Sequence, residues 1–437
     1  MRPETVPLDA WRARRAILHL AATGTPPDDG VGAFTVGLEP VLGVLAEEYL
    51  SFLGHGLSAF KLVVGAYGGG KTHFLLSVRE LAFSHGAVVA YVTLNPHESP
   101  FDKLELVYRR VADALQVPPA GPGEASPRGL EALVRRWVQA RLGDPDEQPR
   151  RPSVSRLADE LQAELADIES SAWRNAVIGA CTALARGDEE TFAGLVQYLK
   201  GEGGEKEFLR QYRVFEPIDR ASAFRAVRSL ARFVRHAGHP GLVLLFDEAE
   251  RMVSLAGSRN QRAAVDNLRQ LIDECGGSAL EGVLLFYAVP REDLLFGSGS
   301  GAVYEALRQR LSGTFREVNP TGVKIDLEQN GLAPQRFLEA LARRLIELYE
   351  RAFADAPRPD VAAEAIPGFV RAAWEQRFGD EGYRRLFVKA FLQGLNRLRR
   401  EPGRPLTDAE VAAIVAGQGA APADAGELQE PLDAFEP

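Results

Sequence analysis

Cysteine is almost absent, with two in 437 residues, Cys181 and Cys275. That excludes a disulfide scaffold and a multi-cysteine zinc module, and it fits a reducing compartment. Positive charge is not in excess. The formal net charge is −9, so any nucleic-acid contact needs a local basic patch. No apolar run reaches the ~20 residues that span a bilayer. The N-terminal stretch MRPETVPLDAWRARRAILHL carries acids and arginines where a secretory leader has its apolar segment. A cytoplasmic protein without membrane contact is therefore expected. Lysine is scarce while alanine, arginine and glycine abound, which reflects GC-rich coding and not chemistry. No internal repeat is visible. What is present, 46% hydrophobic and 25% charged residues, is ordinary globular composition. At ~150 residues per domain the length allows roughly three units.

Apolar spacing organises the chain. Residues 9–23 predict an amphipathic helix that Pro26 and Pro27 end. Residues 40–55 predict another, with Leu42, Leu45, Tyr49 and Phe52 at helical spacing. The runs AFKLVV (59–64) and AVVAYVTL (87–94) read as buried strands, each followed by a helix, at 71–83 and at 102–116 with Asp102 as N-cap. Fully apolar strands alternating with helices argue for a parallel sheet covered on both faces. Proline- and glycine-rich connectors at 118–126 and 143–153 then frame segments that are all helical, so residues 118–218 read as a helical insertion. A helix at 220–236 precedes further strands at 242–246, 283–289 and 323–327, and 334–355 and 359–400 are helical again. The expected division is 1–58 N-terminal helices and loop, 59–332 α/β core, 333–416 helical lid, and 417–437 an acidic, disordered tail.

The most specific motif is Gly65-Ala-Tyr-Gly68-Gly69-Gly70-Lys71-Thr72, which matches G-x-x-x-x-G-K-[ST] at every position between a strand and a helix. Glycines let consecutive N–H groups turn inward as an anion nest, and the helix start adds partial positive charge. Lys71 can reach the β- and γ-phosphates of a nucleotide and Thr72 can ligate Mg²⁺. His73 follows and is expected to pack beside the bound nucleotide. At the carboxyl end of the strand 242–246 stand Asp247 and Glu248, the edge where open α/β sheets hold ligands. Asp247 is expected to hold Mg²⁺, and Glu248 to orient and polarise the attacking water. Glu250 lies beyond the pair and is assigned to structure or an interface.

Together these motifs resemble an AAA+ P-loop ATPase. More narrowly, the stretches RRAILHLAATGTPPDDGVGAFTVGLEP, FKLVVGAYGGGKTHFL, LVLLFDEAERM and EALRQRLSG resemble the BrxD-type ATP-binding proteins of BREX phage-defence systems, related to the origin-recognition branch. The resemblance implies an α/β fold with a parallel sheet, the helical insertion and a C-terminal helical lid. It implies ATP and ADP as ligands, Mg²⁺ as cofactor, a homo-oligomer, and action with a helicase or nuclease on DNA. It implies adenine contacts at Val36 and Gly37, an arginine finger at Arg308 or Arg310, and a lid arginine at Arg385, with Arg384 as alternative. The family's polar sensor at the end of the strand after Asp247 is missing from VLLFYAVP, where Tyr287 is the one polar candidate.

Arg225, Arg228, Arg232 and Arg235 line one helix face. They could track a phosphate backbone or simply face water. Origin-recognition relatives carry a C-terminal winged helix for DNA, and none is expected in the acidic residues after the lid. Two further activities stay open: a slowly hydrolysing nucleotide switch that loads a partner such as a helicase, and a phosphotransferase built on the same loop.

Overall fold

The computed structural model describes residues 8–121, 124–142, 154–249, 258–277, 279–295, 302–329, 332–376 and 382–419. The chain divides into two units, one built from residues 37–332 and the other from residues 7–36 with 333 onward. The expected N-terminal segment 1–58 is therefore split. Its first helix joins the C-terminal helices, and its second joins the sheet.

Among the described residues of the first unit, six strands form one sheet: β1 Ala59–Val64, β2 Val88–Thr93, β3 Leu115–Gln116, β4 Leu242–Asp247, β5 Val283–Val289 and β6 Lys324–Asp326. Their order is β3-β2-β4-β5-β1-β6, and all pairs are parallel except the short β2–β3 ladder. This is the α/β class expected from the apolar runs. Burial on both faces follows from the alternation along each strand. Val63, Val89, Val243, Leu245 and Phe286 pack with Phe74, Leu75 and Val78 of the helix Lys71–Ser84 and with Leu42 and Leu45 of Glu39–Glu48. Leu62, Ala90, Leu244, Phe246 and Leu285 face the other way, toward helices Leu104–Ala114, Ala223–His236 and Ser258–Gly276.

Helices Gly129–Leu142, Val154–Glu164, Ser171–Arg186, Glu189–Leu199 and Lys206–Gln211 fill the stretch read as an insertion. Their interior is continuous with the second face of the sheet. Trp137 and Trp173 both set an edge against Phe233, with ring centroids 5.0 and 5.5 Å apart. Trp173 Nε1 donates to Tyr108 Oη at 2.8 Å, and that hydroxyl donates to the Leu199 carbonyl at 2.6 Å. Both free cysteines, Cys181 and Cys275, are buried in this interior.

The second unit is helical: Ala10–Thr23, Pro334–Ala352, Pro359–Glu364, Ile366–Glu375, Tyr383–Arg400 and Asp408–Gly419. Asp9 caps the first of these by accepting from Arg12 N–H at 2.8 Å. Ala13, Ala16, Ile17 and Leu20 then bury its apolar stripe against Pro334–Ala352 and Tyr383–Arg400. Phe353 lies between the guanidinium groups of Arg14 and Arg399, at 5.2 and 4.1 Å. The last helix runs to Gly419, past the expected fraying point at 417. The rest of the acidic tail and Glu250 lie outside the described residues. Among the described residues no helix is long and apolar enough to cross a membrane.

Candidate functional site

Strand β1 delivers Gly65 to the carboxyl edge of the sheet, where its N–H bonds to the Val289 carbonyl at 3.2 Å. The chain then bends tightly. Gly69 N–H donates to Ala66 O at 2.8 Å, and Gly68 and Gly70 adopt φ of 72° and 96°. A Cβ at position 69 would stand 2.8 Å from Ala66 O and 3.0 Å from Ala66 N, filling the bend. The loop is thus a backbone cradle that glycine alone leaves open. The helix Lys71–Ser84 starts at once after Gly70, so its first-turn N–H groups and positive dipole end meet the cradle.

Lys71 is 8% exposed. Its ammonium donates to the carbonyls of Gly65 (3.0 Å) and Ala66 (3.3 Å) and lies 5.2 Å from the Tyr67 ring centroid. His73 follows in the first helical turn, half-buried. The loop is also tied to the turn that follows β6, since Glu328 Oε1 accepts from Ala66 N–H at 3.4 Å.

Asp247 ends β4 and is 2% exposed. Its Oδ2 accepts from Thr72 Oγ1 at 2.7 Å, a bond across 175 positions of sequence. The two motifs therefore meet as expected. The same Oδ2 accepts from Tyr91 Oη at 2.6 Å, and Oδ1 accepts from Glu248 N–H at 2.9 Å. Burial, and then the negative charge of Asp247, push the Tyr91 hydroxyl far above the usual tyrosine range. Tyr91 was not among the candidates from sequence. Its signal was a polar tip within an apolar strand, since a buried tyrosine hydroxyl needs a partner. Glu248 takes φ of +57°, a left-handed conformation unusual outside glycine and asparagine. Strain of that kind gathers at functional sites.

Thr72 and Asp247 match the donor set that Mg²⁺ favours, one carboxylate and a hydroxyl completed by water and phosphate oxygens. Among the described residues no group of three or more His, Cys, Asp or Glu side chains makes an all-protein cage.

Other candidates fall elsewhere. Tyr287, the sensor candidate, packs its ring against Phe101 and Phe246 at 5.3 and 6.4 Å, on the sheet face opposite the loop helix. In the helix Ala302–Leu311, Arg310 is held by Asp273 of the same chain, while the Arg308 side chain is 53% exposed with Glu305 at 3.9 Å. In the second unit Arg385 is exposed, and Arg384 stacks over Phe337 at 4.6 Å. Val36 is buried at the end of the second unit's first stretch, and Gly37, with φ of 75°, opens the first unit. The arginine row is no open track for phosphates. Arg225 binds Glu216, Arg228 binds Glu169 and Glu274, Arg232 binds the Asp167 carbonyl, and Arg235 binds Glu281.

No curated protein matches the chain. Among solved structures, the Aeropyrum pernix ORC2 protein in its ADPNP–ADP complexes is similar at 14% identity, with a TM-score of 0.44, over 88% of this chain and 68% of that one. The family model described as BREX system ATP-binding protein BrxC/D matches residues 10–410. With the phosphate loop and its acid partner inside that span, the chain belongs to the BrxC/D family of BREX system ATP-binding proteins.

Proposed function

We propose that this protein binds ATP at the loop 65–72 and hydrolyses it with Mg²⁺, within a bacterial anti-phage system. The observation that carries this is the Thr72–Asp247 hydrogen bond, which joins the cradle to a buried carboxylate at the sheet edge. The family's name, with ATP binding in it, supports the same reading.

In the proposed reaction the N–H groups of the loop and the helix start receive the phosphates, and the Lys71 ammonium leaves its carbonyl partners to meet them. Thr72 and Asp247 would hold Mg²⁺, which when bound neutralises charge on the β- and γ-phosphates. Glu248 accepts the proton of the attacking water as general base. Arg308, whose side chain is 53% exposed against 36% for Arg310, is assigned to a neighbouring subunit's site. Val36 and Gly37 are assigned to the adenine, Arg385 to the lid side of the phosphates, and His73 to the loop's flank. A homo-oligomer follows from the arginine assignment. With the arginine row neutralised, contact with DNA is assigned to the assembly or to a partner helicase or nuclease.

The test is direct. Lys71→Ala abolishes binding of a fluorescent ATP analogue, whereas Glu248→Gln keeps binding and loses phosphate release. Undiminished binding in the first, or undiminished turnover in the second, refutes the proposal.

The placement of Tyr287 in the aromatic core favours a second reading, a nucleotide switch with slow turnover that recruits a partner. Partner capture that needs ATP but survives Glu248→Gln supports the switch.

A further inference from the structure

Tyr91 sits within β2, where the parallel register sets it beside Leu245 and sets Thr93 beside Asp247. Its ring belongs to the interior on the loop-helix side of the sheet. The hydroxyl therefore reaches one side-chain row along the neighbouring strand, to Asp247 Oδ2 at 2.6 Å.

An ionised carboxylate offers about four lone-pair sites. Three are taken here, by donors on three separate segments: Thr72 Oγ1 at 2.7 Å, Tyr91 Oη at 2.6 Å, and the Glu248 backbone at 2.9 Å. Each donor removes a freedom of the carboxylate to rotate. The Thr72 hydroxyl has one proton, and while that proton is donated to Asp247 its lone pairs stay available to a cation. Tyr91 makes no demand on the cation. A phenylalanine would fill the same volume, so the hydroxyl is what tyrosine adds at this position.

We infer that Tyr91 is a positioning residue: its hydroxyl holds the Asp247 carboxylate in place for a divalent cation shared with Thr72. The inference rests on the proposed ATP site. Outer partners of metal ligands typically contribute 10- to 100-fold in metal affinity, so the loss of one hydroxyl is readable.

The experiment compares Tyr91→Phe, Tyr91→Leu, Asp247→Asn and wild type. Binding of a fluorescent ATP analogue is titrated with Mg²⁺ from a chelated start, and each variant is melted. The Mg²⁺ concentration for half-maximal enhancement is expected to rise tenfold or more in Tyr91→Phe, with a melting temperature near wild type. Tyr91→Leu, which also loses the ring, is expected to melt earlier with a similar Mg²⁺ shift. A Mg²⁺ requirement in Tyr91→Phe within twofold of wild type overturns the inference. So does a Mg²⁺ shift that follows melting temperature across the two variants. If wild-type binding ignores Mg²⁺, or Asp247→Asn behaves as wild type, the metal-site reading itself fails, and the inference with it.

Discussion

Glu248 offers a test in which stability and catalysis move in opposite directions. Its backbone has φ of +57° at the end of β4. For an L-residue with a full side chain the left-handed region costs roughly 1–2 kcal/mol, because Cβ crowds the following carbonyl. Asparagine bears that conformation better, through local hydrogen bonding of its short side chain. Glu248→Asn should therefore recover about 0.5–1 kcal/mol of the strain. Glu248→Gly relieves all of the strain, but glycine loses more backbone entropy on folding, about 0.5–1 kcal/mol, so its net gain is similar to that of Asn. Glu248→Gln keeps both the side-chain length and the strain. For a unit of roughly 300 residues, at about 2.1 cal/mol/K per residue, ~1 kcal/mol moves the melting temperature by about 1.6 °C. The expected order by differential scanning calorimetry is Asn and Gly together, above Gln and wild type. All three variants should lose hydrolysis, by about 10²- to 10⁴-fold for removal of a general base, while ATP-analogue binding persists. Identical melting of Asn and Gln, or a Gln variant that turns over normally, would refute the argument that the strain is held for catalysis.

Other expectations follow from the same geometry. Gly69→Ala places a Cβ 2.8 Å from Ala66 O, so nucleotide affinity should fall at least tenfold while helical circular dichroism is unchanged; wild-type affinity would mean the bend is not the phosphate cradle. Lys61 is buried in β1, its ammonium bonded to Tyr49 Oη (2.7 Å) and the carbonyls of Gly322 (2.7 Å) and Pro320 (3.2 Å), and burial lowers its pKa to about 7 from 10.5. Between those values the folded chain holds fewer protons than the unfolded chain, so this residue adds stability as pH rises through that window and none below it. Wild type should thus gain on Lys61→Met in urea midpoints from pH 7 to 9, and a constant difference would contradict the shift. Arg310→Ala should lower the melting temperature through loss of the Asp273 contact, whereas Arg308→Ala should lower hydrolysis with binding intact; loss of binding in Arg308→Ala excludes its action in trans.

The strands that frame the site were legible because β1, β2, β4 and β5 are short apolar runs bounded by glycine or polar residues. The helix expected to reach residue 116 stops at Ala114, since Leu115–Gln116 pair with β2, and two strand residues leave no periodic signal. Residues 40–55 read as one helix but change at Tyr49 into the tighter 3₁₀ turn Leu50–His55, whose i, i+3 spacing mimics the same stripe. The Ala13–Ile17–Leu20 stripe announced a buried face without naming the helices, more than three hundred residues away, that cover it. Lys71, Thr72 and Asp247 could be read because a phosphate cradle needs particular residue types at fixed spacing. Tyr91 showed only a polar tip in an apolar strand; the partner it meets lies 156 positions along the chain, and pairing at that distance leaves no local pattern. The arginine row had the right face, but its acids come from four other segments.

The helices between Gly129 and Gln211 share one interior with β4 and β5, so they are no removable ornament. Cutting them away would strip Phe233 of Trp137 and Trp173 and wet the side of the sheet that backs Asp247. A change of sequence in that segment is thus a change beneath the strand that presents the acid, and shortening it would be felt first as unfolding.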